Sequence, residues 1–320
     1  VIPNLSNLAD LEKLPILSRF YLRNNPEKFT SRPTRDQLSI HTTGTSGSPL
    51  KVVCDLESRQ KNFAFFDAYL ESVGVRLASP HIIIGGRAIV SPDSTQPPFW
   101  RKSRWQKSLL MSSYHLSDNF LTSYIDAIER YGAEYIESYP SSLYIIARYM
   151  LKVGRKVKVK LIVTSAETLF DDQREIIEEA FQCKIYDQYG CAEMGLFVAQ
   201  CKSGSYHVRP DYGILEIVDA NGKGVDLGVE GDVVCTGFVN KCMPLIRYDI
   251  GDRAAWKKNQ TCTCGLNTPI LEKIYGRKDD IIVTGDGRPV GRLSPVLKGF
   301  PVKESQYIQY SPGEVDVNII

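Results

Sequence analysis

A chain of 320 residues, 43% of them hydrophobic, can bury a sizeable core and is long enough for two domains or one large lobe with an appendage. Its 39 Lys and Arg against 37 Asp and Glu leave a formal charge of +2, which sets up no field for nucleic acid or an anionic membrane as main partner. The longest apolar runs, "HIIIGG" and "SLYIIA", are far too short to span a bilayer. Eight scattered cysteines fit a reduced, cytoplasmic compartment better than a disulfide framework.

Residues 1–40 read as short helices and turns, with "LADLEKLPIL" giving helical apolar spacing and then a proline stop. After the polar stretch "HTTGTSGSPLKV" (41–52), the segment 56–74 carries aromatic and leucine residues at helical spacing and a closing glycine. Residues 85–105, rich in Gly, Pro, Ser and Trp, read as a long surface loop. A regular pattern then begins. "DNFLTSYIDAIERYG" (118–132) is an amphipathic helix with a Gly stop, "AEYIES" a short strand, and "SSLYIIARYMLKVG" a helix with Pro140 just before it. "VKLIVTSA" reads as a buried strand, "DDQREIIEEAFQ" as a helix with acids in its first turn, and "CKIYDQYG" (183–190) as another strand. This β-α-β-α-β order implies a parallel sheet with right-handed crossovers. The basic run "GRKVKVK" (154–160) alternates with valine and reads as a strand entry, not a nucleic-acid footprint.

Beyond residue 205 helices vanish. "GILEIVDA", "EGDVVCTGFV" and "MPLIRYDI" (243–250) are strands separated by turn signals, so an antiparallel β subdomain is expected at about 200–275. The chain begins at Val1 and ends in "EVDVNII", a strand with nothing to pair against; both features suggest an incomplete chain.

In a sheet of this kind ligands bind outside the carboxyl ends of the strands. Three successive strand ends carry polar clusters, "ESYPSS" (137–142), "TSAET" (164–168) and "DQYGCAEMG" (187–195), and the fold argument puts them on one rim. The 41–52 stretch could offer backbone N–H groups and hydroxyls to phosphate oxygens, or be a flexible linker; it lacks the Gly-Lys-Ser/Thr of an NTPase loop. Glu193 suits a Mg²⁺ that bridges phosphates, or is simply a helix-start acid. Tyr189 could stack on a purine or pack. Asp252, placed in a turn, could accept from ribose hydroxyls, and Arg277 could neutralise a phosphate or pair with neighbouring aspartates.

Taken in order, "TTGTSGSP", "YDQYGCAE", "IRYDIGD" and "YGRKDDIIVTG" resemble the adenylate-forming superfamily, in particular the phenylacetate–CoA ligase family and its capsule-biosynthesis-like branch. The segment from "PPFWRKSRWQKSLLMSSYHLSDNF" to "YIESYPSSLYIIARY" is similar to that branch, and the resemblance covers essentially the whole chain. It implies ATP- and Mg²⁺-dependent conversion of a small-molecule carboxylic acid into an acyl-adenylate with release of pyrophosphate, followed in many members by transfer to coenzyme A.

By motif, Thr42, Thr43, Gly44, Thr45, Ser46 and Gly47 would hold phosphates, with Thr45 and Glu193 the catalytic pair. Ser165, Ala166 and Glu167 would line the adenine and acyl pocket. Asp187, Gln188, Tyr189 and Gly190 would frame adenine, Glu193 would bind Mg²⁺, Asp252 the ribose, and Arg277 ribose or phosphate. Tyr139, Pro140 and Ser141 would border the acid, and Asp279 would be the hinge of a small C-terminal lobe. The implied architecture is an α/β lobe over 1–278 with a mixed or parallel sheet and the β subdomain, followed by the start of a small α+β lobe over 279–320. Two departures stand out. The loop runs Pro49-Leu50-Lys51 where the family usually has Lys or Thr directly after the proline, and the lysine that assists adenylation from the small lobe is not within this chain.

Cys201, His207, Cys262 and Cys264 offer three thiolates and one imidazole in the β subdomain, a tetrahedral structural zinc set; unrelated thiols in a reduced cell are the alternative. Cys191 lacks a neighbouring histidine and reads as a small filler. The reading is therefore a carboxylate-activating ligase, with a nucleotide-binding scaffold that lost turnover as the alternative. Neither the acid nor the oligomeric state is legible, and a homodimer is left open.

Overall fold

The computed structural model describes residues 6–31, 36–41, 50–91, 93–278, 281–283, 285, 289–291 and 305–319. The chain forms two compact units, Val1–Tyr69 with Tyr189–Ile281, and Leu70–Gln188 with Ile282–Ile320.

The N-terminal segment is short pieces: 3-10 turns at Leu8–Lys13 and Pro26–Phe29 around helix α1 (Arg19–Asn24). Strand β1 (Leu38–His41) pairs antiparallel with β2 (Lys51–Cys54), and helix α2 (Leu56–Val73) carries the chain into the second unit. That unit holds β3 (His81–Gly85), β4 (Trp100–Ser103), β5 (Ser108–Ser112), α3 (Asp118–Tyr131), β6 (Tyr135–Ser138), α4 (Pro140–Lys152), β7 (Leu161–Ser165), α5 (Asp171–Phe181) and most of β8 (Lys184–Gly190). Its strands lie in the order β8-β7-β6-β3-β5-β4, parallel except for β4. The parallel sheet expected from the repeating β-α pattern is present.

The helices form where the apolar spacing dictates. Leu121, Tyr124, Ile125 and Ile128 of α3, Leu143, Ile146 and Met150 of α4, and Ile177 and Phe181 of α5 pack in one core with Ile82, Ile84, Met111, Ile136, Ile162 and Ile185 of the strands. Gly132, at φ 65°, ends α3 by donating its N–H to Ile128 O, a left-handed stop that needs no Cβ. Pro140 is the first residue of α4 and not its predecessor, because a first-turn proline gives up no hydrogen bond.

The loop expected at 85–105 is corrected. Phe99 is fully buried, stacked on His115 with ring centroids 4.4 Å apart and against Phe120 and Tyr124. This aromatic anchor draws β4 alongside β5 despite the surrounding Gly and Pro.

The first unit holds β9 (Phe197–Gln200), β10 (Tyr206–Val208), β11 (Gly213–Val218), β12 (Glu230–Gly237), β13 (Tyr248–Trp256) and β14 (Ile270–Arg277). They run antiparallel in the order β11-β12-β13-β14-β10-β9. The strand expected over 243–250 starts only at Tyr248, because Arg247 takes φ 47° and breaks the ladder. Asp252, expected in a turn, consequently lies inside β13, paired with Arg277 of β14.

At the C-terminal end, β15 (Ile281–Val283) pairs with β16 (Pro289–Gly291), and β17 (Ser305–Ser311) with β18 (Glu314–Ile319). The strand expected to lack a partner thus has one, through a hairpin whose turn places Gly313 at φ 83°. No helix among the described residues is long and apolar enough to cross a membrane.

One buried side chain ties the N-terminal segment to the first unit. Arg247 is 2% exposed; it donates to both Glu216 carboxylate oxygens (3.1 and 3.2 Å), to Glu12 O (3.3 Å), Leu14 O (2.8 Å) and Gly222 O (2.7 Å). Its own carbonyl accepts from Leu17 N at 2.9 Å, and Leu17 O accepts from Asp249 N at 3.0 Å. Removing one partner of a buried pair strands the other. Arg247→Leu is expected to cost about 3–5 kcal/mol of unfolding free energy, read by urea denaturation; a loss within about 0.5 kcal/mol, typical of surface changes, contradicts the anchoring role.

Candidate functional site

In the second unit, parallel pairing aligns the strand ends. Ile84 of β3 faces Ser138 of β6, Ser138 faces Thr164 of β7, Thr164 faces Asp187 of β8, and Ser165 faces Gln188. The register therefore brings together the clusters that the strand order placed on one rim. Thr164 Oγ1 donates to Asp187 Oδ1 at 2.6 Å, and Asp187 is 4% exposed, so this carboxylate is fixed by the neighbouring strand. Glu167 Oε2 accepts from Ser141 N at 3.1 Å, an acid capping the first turn of α4 as the helix dipole favours. Ala166 between them holds φ 65°, an uncommon conformation for a residue with a Cβ.

Tyr139 lies directly before α4, its hydroxyl so close to Gly86 that a Cβ there would sit 2.9 Å away. Tyr114 OH donates to Gly86 O at 2.9 Å and Ser113 Oγ to Gly85 O at 3.0 Å. Gly86, directly after β3, is thus held between two tyrosines.

In the first unit two acids define a second cluster. Tyr189 OH donates to Asp252 Oδ2 at 2.8 Å, and Arg277 Nη1 lies 3.6 Å from Asp252 Oδ1 while donating to Ile250 O at 2.7 Å. Burial raises the Asp252 carboxyl above its ordinary value, against the opposing pull of Arg277 and the Tyr189 hydrogen bond. Burial and the Asp252 charge together push the Tyr189 hydroxyl well up, so it stays a donor. Gly251, at φ 81°, lets the strand pass the guanidinium: a Cβ there would lie 3.1 Å from Arg277 Nη2. Beside it Lys278 Nζ pairs with Asp249 (2.7 Å) and Asp232 (3.2 Å).

Glu193 is 2% exposed. Its Oε1 accepts from Tyr248 OH at 3.0 Å and from Arg19 Nη1 at 3.2 Å. Burial and the adjacent carboxylate raise the Tyr248 hydroxyl, which stays neutral. The turn after Glu193 is fixed by backbone crowding. Met194 has φ 58°, and a Cβ on Gly237 would lie 2.9 Å from Met194 O; one on Gly213 would lie 2.8 Å from Thr236 O. Cys191 accepts weakly from Gly195 N at 3.4 Å, a filler's contact.

The pattern of charged residues pointed to neither Arg19 nor Tyr248. Tyr248 stands in "IRYDIGD" four residues before Asp252, but Arg19 sits 174 positions from Glu193 in a segment without any motif. The Leu17–Tyr248 bridge and the Arg247 bonds to Glu12 O and Leu14 O bring it close. The loop residues Thr42, Thr43, Gly44, Thr45, Ser46 and Gly47, and Asp279, lie outside the described residues.

Cys201, His207, Cys262 and Cys264 converge, their ligand atoms all within 4.8 Å of one another. Cys201 and Cys262 Sγ are 3.6 Å apart, and Cys264 Sγ is 3.3 Å from His207 Nε2. These separations fit a tetrahedral ion with Zn–S of about 2.3 Å, which sets sulfurs about 3.8 Å apart. His207 Nδ1 meets Thr268 Oγ1 at 2.9 Å, the outer contact that orients a metal-ligating imidazole. Hydrogen bonds from Ser205, the Cys264 backbone and His207 draw the Cys262 thiol down to about 5, while burial pushes Cys264 up to about 11. One thiolate is therefore ready at neutral pH. All eight cysteines are free.

No protein-family model matches the chain. Protein CapK of Staphylococcus aureus is 25% identical over 319 residues, 98% of this chain and 70% of CapK. The phenylacetate–coenzyme A ligase of Thermus thermophilus is 25% identical over 297 residues, 86% of this chain and 63% of the ligase. Among solved structures, 2-hydroxyisobutyryl-CoA ligase, in its postadenylation state with R3-HIB-AMP, superposes with a TM-score of 0.71 at 18% identity, over 98% of this chain and 70% of that one. The anthranilate CoA ligase AuaEII with anthranoyl-AMP gives 0.54 at 16% identity, over 88% and 55%. At these identities the structural matches establish the fold. In sequence the chain is thus similar to CapK and to a phenylacetate–coenzyme A ligase, and in fold to acyl-CoA ligases of the adenylate-forming type.

Proposed function

We propose that the chain belongs to an AMP-forming acid–thiol ligase, which activates a small carboxylic acid as its acyl-adenylate and passes the acyl group to coenzyme A or another acceptor. The observation that carries this reading is the Glu193 and Asp252 pair of clusters in the first unit. Two carboxylates, one buried and one partly buried, are each matched with an arginine and a neutral tyrosine donor. The relatives support it: ligases bearing acyl-AMP share the fold, and one is solved with coenzyme A.

In the reaction the acid's carboxylate oxygen attacks the α-phosphorus of ATP in line. A new C(O)–O–P bond forms as the bond to the β-bridging oxygen breaks, and pyrophosphate leaves. A thiolate then attacks the acyl carbon and AMP departs. Two anions must meet in the first step, so fixed cations and donors lower its barrier.

Glu193 suits Mg²⁺, a hard ion bound through one or two carboxylates plus substrate phosphates; when present it offsets phosphate charge. Asp252 would accept from the ribose and Arg277 would face ribose or phosphate. Asp187, Gln188, Tyr189 and Gly190 would border adenine, with Ser165, Ala166 and Glu167 beside them. Tyr139, Pro140, Ser141 and the Gly86 backbone would border the acid. The loop 42–47 is assigned to phosphates by motif alone, and 279–320 to the start of the small lobe. The Cys/His set would hold a structural zinc, and the scattered cysteines support a reduced, cytoplasmic compartment as part of this reading.

The direct assay is acid-dependent exchange of labelled pyrophosphate into ATP across a panel of carboxylic acids, using the full-length protein. Exchange with at least one acid is expected, and Glu193→Gln should lower it about 10²–10³-fold, as loss of a charge-stabilising group does. Exchange with no acid would leave a nucleotide-binding scaffold in place of an enzyme.

For the zinc, elemental analysis should find one equivalent per chain, lost in the Cys262→Ser, Cys264→Ser double variant. The wild-type protein should melt several degrees lower after chelation, since a structural site contributes folding free energy. A chain that carries no zinc and ignores chelators rules the assignment out.

A further inference from the structure

We propose that Arg19 is the counter-cation that holds Glu193 in the nucleotide-free protein, and that a divalent ion must displace it to reach this carboxylate. The proposal rests on the reading of Glu193 as the metal-binding acid and concerns how that site is loaded.

A carboxylate 2% exposed needs compensating charge. Tyr248, the other donor to Oε1, is neutral and supplies none. Among the described residues Glu193 makes one ion pair, with Arg19. The guanidinium also interacts with the Asp252 charge, so it compensates both acids of the unit.

Its position is built into the backbone. Ser18 Oγ caps the turn by accepting from Tyr21 N at 3.2 Å, and Leu22 is fully buried in the core of this unit. Leu17 bridges Tyr248, and Arg247 grips the carbonyls of Glu12 and Leu14. The backbone before Arg19 is therefore anchored at Glu12, Leu14 and Leu17 to Arg247 and Tyr248, and Leu22 is buried after it.

The two partners differ in freedom. Glu193 sits on a turn that crowded glycines hold still, whereas the Arg19 side chain is 24% exposed and unbranched. Exchange therefore means withdrawal of Arg19 toward water while Glu193 keeps its place. A resident arginine competes with the incoming ion for one oxygen, so apparent metal affinity is reduced by the strength of the charged hydrogen bond. It also keeps Glu193 from remaining a bare buried charge between turnovers.

Binding of Mn²⁺ to the zinc-loaded, nucleotide-free protein, with free Mn²⁺ counted by electron paramagnetic resonance, tests this without turnover. Arg19→Gln should bind Mn²⁺ roughly tenfold more tightly than wild type, the scale of one charged hydrogen bond. Arg19→Lys, which keeps the charge, should stay near wild type, and Glu193→Gln should abolish the site in either background. Equal Mn²⁺ affinity in wild type and Arg19→Gln overturns the proposal. So does weaker binding by Arg19→Gln at an unchanged melting temperature, since Arg19 would then help build the metal site. If Arg19→Gln fails to fold, the lysine variant decides: Mn²⁺ affinity raised tenfold despite the retained charge overturns it. Normal acid-dependent exchange beside any of these negative results sinks this proposal alone, while absent exchange sinks the enzymatic reading.

Discussion

A carboxylate sealed from water has to be neutralised where it stands, and much of the first unit is arranged around that requirement at Glu193. A neutral tyrosine from β13 and an arginine from the N-terminal segment meet on one oxygen. The arginine can reach it because Leu17 hydrogen-bonds on either side of Tyr248, and Leu17 stays there because Arg247 holds the preceding carbonyls. Arg247 in turn is buried only because Glu216 and three carbonyls satisfy its guanidinium. Fold and site share these bonds, so damage to the strap should reach the site.

The second cluster follows the same logic with different partners. Asp252 and Arg277 face each other across adjacent antiparallel strands, where side chains opposite one another come within contact distance. Burial makes the charge of Asp252 costly, and the arginine and Tyr189 offset that cost in part. In the function proposed, this cluster would receive a ligand that brings hydroxyls and phosphates to the same place, which is what a nucleotide offers.

Much of this was legible in the residue pattern because period and punctuation are local. The helices at α3, α4 and α5 announce themselves by apolar spacing and by Gly132, and the polar strand ends follow from the β-α alternation. The Cys/His set was legible because its two residue types are few and chemically distinctive. What escaped notice depends on distant partners. Phe99 converts a Gly/Pro-rich stretch into a strand by burying its ring. The 314–319 strand finds its partner in a stretch without strong alternation, and one left-handed residue, Arg247, shifts the start of β13 and moves Asp252 from turn to strand. Arg19 was the least legible of all, since an arginine on a six-residue helix has no local signature.

The relatives extend the account without replacing it: the chain aligns along 98% of its length with CapK and spans 70% of it. The central claim is that the Glu193 cluster receives metal-bound ATP, and calorimetric titration of the protein with ATP tests it most directly. The account predicts one saturable site per chain that needs Mg²⁺ and disappears in Glu193→Gln. Binding that persists unchanged in Glu193→Gln, or that ignores Mg²⁺, contradicts it.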